Sequence, residues 1–541
     1  MRELVMRKTI VATTALTSLL LASHAEASGI ATARFGGEHG TPMTDTPPAI
    51  YYNPAGIGLS EGINIYVDGS FAMRWASYEH SAAATDVPEP ADAQGANTGK
   101  GTLGNFLAVP MAGATAKFPL TDSLGLTAGA AFFVPFGGTS MWDQNDAFAK
   151  HQNYAGPVDG VNRWYSIHGT IRTLMISGAA ALSINDMIHL GVSGGAAISQ
   201  VDSLRARNSN GNDDMTFEGR AWVKTSTVHG QLGGGVMVTP LEDPKALRIG
   251  LSYQAPPGIS DAKSEGTLSM YLGGNPSVAD IQIGHQMPDI FRLGAAYRPT
   301  DELELRLFGD YTRWSLFENM CIETVGNPCE VDETGAPADG TSPTLNIRRN
   351  WQDSFALRAG LSYWVIPEVE LMVGLGYDAN AIPDENLDPA LLDFHDVSTA
   401  LGGRFEVTDW LAAQLTYTHL FYISRDTTGK SSNATLHPTS RGPDAGGVYK
   451  QTIGVINVGL QGSFDVFADE SEPRRTEPAP TEPAPTEPAP TEPAPTEPPP
   501  IEPPPTEPAP TEPPPTEPAP TEPAPTEPAP AEPAPAEPAP G

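Results

Sequence analysis

The chain has 541 residues, is 39% hydrophobic and carries a formal net charge of −34 at pH 7. After the first 27 residues it contains no apolar run long enough for a membrane-spanning helix, which excludes a helical membrane protein. About −21 of the charge lies outside a C-terminal glutamate repeat, and a chain so acidic is not expected to bind nucleic acid.

The N-terminal residues have the features of a secretory signal. Arg7 and Lys8 precede an apolar stretch over residues 9–22, and a small-x-small motif ends at Ala27. Cleavage is expected before Ser28. Export of a chain built from β segments indicates the outer membrane of a Gram-negative bacterium.

Residues 61–464 alternate between apolar and polar side chains with a period of two. In one segment Leu305 and Leu307 share a face, and Arg306 lies on the opposite face. Such segments need apolar surroundings on one side and a polar interior on the other, which a closed transmembrane barrel supplies. The predicted fold is an all-β, 14-stranded antiparallel transmembrane β-barrel. The predicted strands cover residues 62–78, 104–118, 124–136, 163–182, 188–203, 215–239, 246–270, 281–299, 303–317, 350–365, 369–380, 394–408, 411–424 and 448–464.

The connections between these strands alternate between short turns and long loops. Asn185 and Asp186 are typical of the short turns, because their side chains bond to their own backbone. An even number of strands places both ends of the barrel on one side, which should be the periplasm. The long connections are then expected to form the outer surface, near residues 80–103, 137–162, 204–214, 318–349 and 425–447.

Aromatic residues near the strand ends are expected to form two girdles at the membrane surfaces, unless they are ordinary strand aromatics. The last strand ends in Phe464, which resembles the terminal signal by which outer-membrane barrels are recognised for insertion. Expected partners are therefore the barrel assembly machinery, outer-membrane lipid and lipopolysaccharide. The candidate girdle residues are Trp164, Tyr165, Trp314, Trp351, Tyr363, Trp364, Trp410 and Tyr422.

The two cysteines, Cys321 and Cys329, fall within one predicted loop. In an oxidising compartment a local disulfide is favoured over two free thiols. A metal site is not expected, because no histidine cluster accompanies the cysteines.

From Thr476 the chain repeats a Thr-Glu-Pro-Ala-Pro pentapeptide with small variations. So much proline favours polyproline II, and the repeats could extend over roughly 200 Å. The tail is a spacer reaching through the periplasm to peptidoglycan or a periplasmic protein, or an extension without a specific role. The predicted divisions are a signal (1–27), an N-terminal hatch or plug (28–60), the barrel (61–464) and a disordered proline-rich tail (465–541).

A barrel of this size leaves a lumen that strand side chains cannot fill, and residues 28–60 are placed to close it. Several short motifs follow one another along the chain. They are Asn53-Pro54-Ala55, residues 133–137 followed by Trp142, and residues 310–315, 351–358 and 382–384. Together they resemble the FadL family of outer-membrane transporters for long-chain fatty acids and other hydrophobic compounds, over about residues 28–464.

The resemblance implies an N-terminal hatch that plugs the barrel and carries the residues Asn53, Pro54, Ala55 and Gly56. A hydrophobic small molecule would be caught among the outer loops, enter a pocket and leave sideways at an inward kink of the third strand. The residues implied at this kink and lateral gate are Phe133, Pro135, Phe136 and Gly137. Proline lacks a ladder donor and glycine weakens pairing, although Pro135 could equally end the strand at its loop.

A carboxylate ligand would need a cation in the lumen or hatch. The candidates are Arg34, Arg172, Arg292, Arg306 and Arg358. Such residues more often pair with lumen acids such as Glu304, Asp310 or Glu370. The family's ligand-contacting residues cannot be placed individually from the sequence.

Catalysis is not expected. Residues 191–195 match a G-x-S-x-G elbow, but they lie in a glycine-rich strand without the strand-to-helix context that the motif requires. No catalytic residue, cofactor or metal is predicted. The predicted function is passive uptake of hydrophobic small molecules, with a general porin or a structural tether from outer membrane to cell wall as alternatives.

Overall fold

The computed structural model describes residues 35–258, 263–272 and 276–465. The predicted signal, Arg34 and the proline-rich repeats lie outside the described residues. Within the described part of the chain, no helix is long and apolar enough to cross a membrane.

One antiparallel sheet contains all the strands of the described residues. β1 pairs with β19 along its whole length, with Ile63 opposite Phe464, so the sheet closes into a barrel. The strands are β1 Ile63–His80, β2 Gly99–Thr121, β3 Leu124–Met141, β4 His168–Ile184, β5 Ile188–Arg207, β6 Gly219–Val238, β7 Leu247–Gln254, β8 Lys263–Tyr271, β9 Pro276–Gly284, β10 Ile290–Thr300, β11 Leu303–Thr312, β12 Asn319–Thr324, β13 Leu345–Arg348, β14 Ser354–Ile366, β15 Val369–Asp378, β16 Asp396–Thr408, β17 Leu411–Tyr422, β18 Arg425–Asp426 and β19 Gly447–Phe464.

The predicted 14-stranded antiparallel barrel is confirmed, but four of its wall strands are broken into two pieces. β7 continues as β8, β9 as β10, β11 as β12, and β13 as β14. The prediction of continuous strands at 246–270 and 281–299 is therefore wrong, whereas the predicted strands 303–317 and 350–365 correspond to β11 and β14, and β12 and β13 lie beyond their predicted bounds. Two of the breaks contain proline, at Pro256 with Pro257 and at Pro288, which cannot donate to a ladder.

The short turns have the predicted chemistry. Asn185 and Asp186, between β4 and β5, both have positive φ, at 53° and 50°. Two successive residues with positive φ form a type I′ turn, whose twist matches that of the two strands of a hairpin. The long loops leave the barrel at the opposite end. We assign this end as the outer one, because exported barrels carry their long loops outside.

The outward-facing side chains form an apolar belt. Val228, Leu293 and Leu401 are between 59% and 64% exposed. Exposed apolar side chains around a closed sheet are expected of a barrel whose outer face contacts lipid.

The predicted aromatic girdles are only partly present. Tyr363 and Trp410 are exposed on the outward face, but Trp164, Trp314 and Trp351 are buried, as is Tyr165. The Trp314 and Trp351 rings lie 4.8 Å apart beside the strand breaks. These two residues do lie near strand ends, but they pack inside the protein, after the end of β11 and before the start of β14.

The N-terminal segment, residues 35–60, lies against the inner face of the wall. It contains a short α-helix, Ala49–Tyr52, and 3-10 turns at Gly37–His39 and Pro54–Leu59. Most of its side chains are buried. The other 3-10 turns of the described residues are Ala82–Ala84, Asp146–Phe148, Gly156–Asp159, Val161–Trp164, Met215–Phe217, Trp314–Leu316 and Asn433–Thr435.

Cys321 and Cys329 are joined by a disulfide in the structure, with their Cα atoms 6.0 Å apart. The bridge links β12 to the turn that follows it. Because β12 pairs with β9 above the strand breaks, the disulfide belongs to the outer half of the wall.

The buried carboxylate of Asp213 joins two outer loops. The Asp213 carboxylate accepts hydrogen bonds from the backbone N–H groups of Asp86, at 3.1 Å, and Val87, at 2.9 Å. Burial raises the pKa of both Asp86 and Asp213 to about 6, and the nearby Asp213 charge adds to the shift of the Asp86 pKa. These carboxyls therefore hold a proton more readily in the folded loops than in an unfolded chain.

The packing of these two loops is expected to weaken as pH rises. A raised carboxyl pKa contributes stability below the ordinary pKa, and this contribution is lost as pH rises through about 6. Limited proteolysis of loops 81–98 and 208–218 should therefore be slower at about pH 5 than at about pH 7.5, after correction for protease activity. In Asp86→Asn, whose amide does not titrate, the difference in proteolysis rate between the two pH values should shrink. An unchanged difference in rate would contradict this account.

Candidate functional site

The ladder between β2 and β3 is incomplete. The two strands pair from Thr121 opposite Leu124 as far as Ala112 opposite Phe132. Beyond that point β2 pairs only with β1, and β3 pairs only with β4. The wall therefore has a window between residues 103–111 of β2 and residues 133–141 of β3.

A proline stands on each strand at the inner edge of the window. Toward the outer end, Pro110 lies two residues beyond Ala112, the last paired residue of β2, and Pro135 lies three residues beyond Phe132, the last paired residue of β3. Neither nitrogen carries a hydrogen, so neither leaves an unpaired backbone donor when the ladder stops. The two prolines thus reduce the cost of an opening in lipid, where an unsatisfied backbone group is expensive.

β3 bends inward beside the window. Its ladder with β4 shifts register between Phe133 and Phe136. Residues 133–138 are all buried, whereas a regular strand would alternate. Pro135 therefore lies within a kinked strand that continues to Met141, and does not end the strand.

Side chains replace part of the missing ladder. The carbonyl oxygen of Thr139 on β3 accepts from Asn105 Nδ2, at 2.7 Å, and from Arg74 Nη1, at 3.2 Å. At the outer edge the window ends where the backbone N–H of Asp143 donates to the carbonyl of Thr102, at 2.8 Å. The opening therefore has defined upper and lower limits.

The N-terminal segment packs directly on the kink. The Phe133 ring lies 5.6 Å from the Phe35 ring and 5.2 Å from the Tyr51 ring. On the opposite side the Arg292 guanidinium lies 4.4 Å from the Tyr51 ring centre. The position of the segment and the shape of the kinked strand are thus coupled through Tyr51.

Asn53 fastens the N-terminal segment to the wall. Its Oδ1 accepts from the Ala55 N–H at 3.2 Å, and its Nδ2 donates to the Pro42 carbonyl at 3.0 Å. Nδ2 also donates to the carbonyl of Val236 on β6, at 3.1 Å. Asn53 is fully buried, so loss of these bonds would leave buried polar groups unsatisfied.

Two wall glycines leave room for this contact. A Cβ atom on Gly191 would lie 2.1 Å from the Ala55 nitrogen, and a Cβ atom on Gly235 would lie 2.1 Å from Asn53 Oδ1. Gly191 therefore serves close packing of β5 on the segment.

An apolar cavity occupies the outer half of the barrel. Gly138 and Ser140, on the part of β3 that has left β2, form one of its walls. The cavity and the window therefore share the kinked part of β3. The apolar lining residues include Ile171, Val201, Val223, Ile283, Met320, Ile322, Leu345, Ile347 and Leu391.

Two arginines reach this apolar cavity. Arg349 Nη1 lies 2.9 Å from the Asp388 carboxylate, which neutralises its charge. Arg205, near the outer end of β5, makes no hydrogen bond or ion pair with the described residues. A cation without a partner beside an apolar wall can bind the head of an amphipathic anion.

The predicted arginines lie elsewhere. Arg306 pairs with Glu304 at 3.0 Å, and Arg358 pairs with Asp310 at 2.8 Å. Arg292 lies against the N-terminal segment. Arg172 is at an outward-facing position of β4 and is hydrogen-bonded to Gln200. As candidates for carboxylate binding these residues remain predictions, and Arg34 lies outside the described residues.

The sequence reasoning missed Pro110, Asn105 and Arg205. Pro110 was visible as a proline within a predicted strand, a position that indicates a strand edge or irregularity. Arg205 carried no such signal, because its cavity is assembled from strands far apart in the chain.

The comparison with known proteins agrees with this architecture. The model of the family "Outer membrane protein transport protein (OMPP1/FadL/TodX)" matches residues 8–444. No curated protein sequence matches the chain significantly.

Several solved structures share the fold. A FadL homologue from Pseudomonas aeruginosa is 16% identical with a TM-score of 0.62, covering 82% of this chain and 100% of that chain. The Ralstonia pickettii toluene transporter TbuX is 14% identical with a TM-score of 0.51, covering 77% and 94%. The Pseudomonas putida toluene transporter TodX is 13% identical with a TM-score of 0.50, covering 82% and 96%. The family and the barrel indicate the Gram-negative outer membrane, and family members are transport channels for hydrophobic compounds. This chain belongs to the OMPP1/FadL/TodX family of outer-membrane transport proteins.

Proposed function

We propose that this channel takes up an amphipathic molecule with a long apolar body and an anionic head, such as a long-chain carboxylate. The observation that carries the proposal is Arg205, which makes no hydrogen bond or ion pair with the described residues and lies in a mainly apolar cavity that also contains the Arg349–Asp388 ion pair. The apolar wall would hold the body of the ligand. The guanidinium would hold its head by a charge-assisted hydrogen bond.

The same substrate would leave through the window between β2 and β3. The apolar side chains of Leu107, Val109 and Val134 pack together at this level. An apolar molecule that moves sideways here would enter lipid without crossing water. The N-terminal segment would act as a hatch across the axial route, fastened by Asn53, so solutes would not pass straight through.

Arg205→Gln is expected to weaken binding of oleate by roughly 10-fold or more, because a hydrogen bond to a charged group contributes about 1.5–3 kcal/mol. Binding of oleyl alcohol, which differs at the head group, should change far less. The measurement is equilibrium binding of each labelled lipid to purified protein.

Arg207→Gln is the matched control. Arg207 lies two residues further along β5, and its Nη1 donates to the Arg441 carbonyl at 3.4 Å. We expect this variant to bind oleate as the unchanged protein does. Equal losses for oleate and oleyl alcohol in Arg205→Gln, or no loss for oleate, would refute the assignment of Arg205.

A further inference from the structure

A polar patch interrupts the apolar outward belt on β4, β5 and β6. Toward the inner end of the barrel the outward residues are apolar, as at Ile176, Val192 and Val228, which are at least 56% exposed. Nearer the outer end, outward-facing side chains of the same three strands are polar. The patch consists of Thr170 and Arg172 on β4, Gln200 and Asp202 on β5, and Trp222, Lys224 and Ser226 on β6.

The strand register arranges six of these residues in two rows across the wall, and Trp222 lies in the next row toward the outer end, opposite Leu204. Arg172 is opposite Gln200, and Gln200 is opposite Ser226. Thr170, Asp202 and Lys224 form the next row toward the outer end. Arg172 and Lys224 are one row and two strands apart, which places their backbones about 12 Å from each other. Their long side chains can both reach a ligand that lies between them.

The contacts within the patch hold both cations in place. Arg172 Nε donates to Gln200 Oε1 at 2.5 Å, and Gln200 Nε2 donates to Ser226 Oγ at 3.3 Å. Lys224 Nζ lies 3.9 Å from the centre of the Trp222 ring. The terminal nitrogens of the Arg172 guanidinium have no partner among the described residues.

The patch has an excess of positive charge on an acidic protein. Asp202 accepts from Trp222 Nε1 at 2.7 Å and lies 3.6 Å from Lys224 Nζ. Asp202, which also lies 3.5 Å from His168 Nε2, is thus one carboxylate against the two cations Arg172 and Lys224, although the chain as a whole has a net charge of −34. Overall charge cannot attract an anion here, so any anion must be recognised locally.

We propose that this patch binds the phosphorylated sugar head of lipopolysaccharide in the outer leaflet. The patch lies at the outer ends of three strands, which is the level of the lipid head groups. A tryptophan such as Trp222 is also favoured at this level. Arg172 and Lys224 would bind a phosphate, as guanidinium and ammonium groups do. Thr170 and Ser226 would bond to sugar hydroxyls. A shallow hollow on this face is lined by Thr170, Arg172, Gln200, Asp202 and Lys224.

The test is native mass spectrometry of the full-length protein with bisphosphorylated lipid A, dephosphorylated lipid A or phosphatidylglycerol. The unchanged protein should bind bisphosphorylated lipid A most tightly. Arg172→Gln with Lys224→Gln should weaken that binding by roughly 30-fold, since each cation near the membrane surface contributes about a fivefold factor. Lys224→Arg, which keeps the charge, should retain most of the affinity.

Lys450→Gln is the matched control, because Lys450 is an exposed cation near the outer end of β19. Its effect should be small, and all variants must show the heat-modifiable migration of a folded barrel. Equal binding of phosphorylated and dephosphorylated lipid A would overturn the proposal. So would equally tight binding of phosphatidylglycerol, or a loss in Lys450→Gln as large as in the double variant.

Discussion

Oxidation of a cysteine pair placed across the window, Val109→Cys with Val134→Cys, is expected to abolish uptake of an apolar substrate. Both side chains lie in one apolar cluster, although their strands do not pair there. A disulfide would hold β2 and β3 together and close the gap that the two prolines permit. Uptake of labelled oleate by cells or proteoliposomes measures the effect, and reduction should restore it.

A second pair in the intact part of the ladder is the control. Ala114 and Ala130 are directly opposite each other and face outward. Oxidation of Ala114→Cys with Ala130→Cys should leave uptake unchanged, because no opening exists there. Undiminished uptake after complete cross-linking at 109 and 134 would rule out lateral exit at this window. Loss of uptake in both pairs would show a general effect of oxidation.

Gly191→Val is expected to raise conductance from near zero toward that of an open barrel. A Cβ atom at this position would lie 2.1 Å from the Ala55 nitrogen, so the backbone of the N-terminal segment must move. The movement would also break the bond from Asn53 to the Val236 carbonyl. Single-channel recording in a planar bilayer measures the change.

Gly230→Val tests whether a valine in a wall strand has this effect by itself. Gly230 lies on β6, and a Cβ atom there would meet no heavy atom within 4 Å. Its conductance should stay low. A folded Gly191→Val barrel with unchanged low conductance would contradict the assignment of residues 35–60 as a hatch.

The sequence allowed prediction of those features that depend on local chemistry. Alternation with a period of two follows from strand geometry alone, so the wall strands could be counted. The turn at Asn185 and Asp186 was readable because positive φ is tolerated by these residue types. Pro135 likewise predicted an irregular third strand.

The broken strands were not predictable from local sequence patterns. The prolines at 256, 257 and 288 were visible, but the alternation resumed beyond them and suggested one continuous strand. The breaks after Thr312 and before Ser354 contain no proline. They coincide with packing of Trp314 on Trp351, a contact between residues distant in sequence. Arg205 was missed for the same reason, since the spacing of charges does not reveal which charges meet.

The strand breaks also determine how this wall can tolerate changes in length. In a continuous strand, an insertion of one residue would turn every following side chain to the other face. Here β8 and β9 pair with each other beyond the breaks, whereas β7 and β10 pair separately below them. Insertions or deletions in the β8–β9 hairpin can therefore move Ile283 in the cavity wall without shifting the register of β7 and β10 below the breaks. The outer lining can diversify in evolution while the lower barrel keeps its alignment.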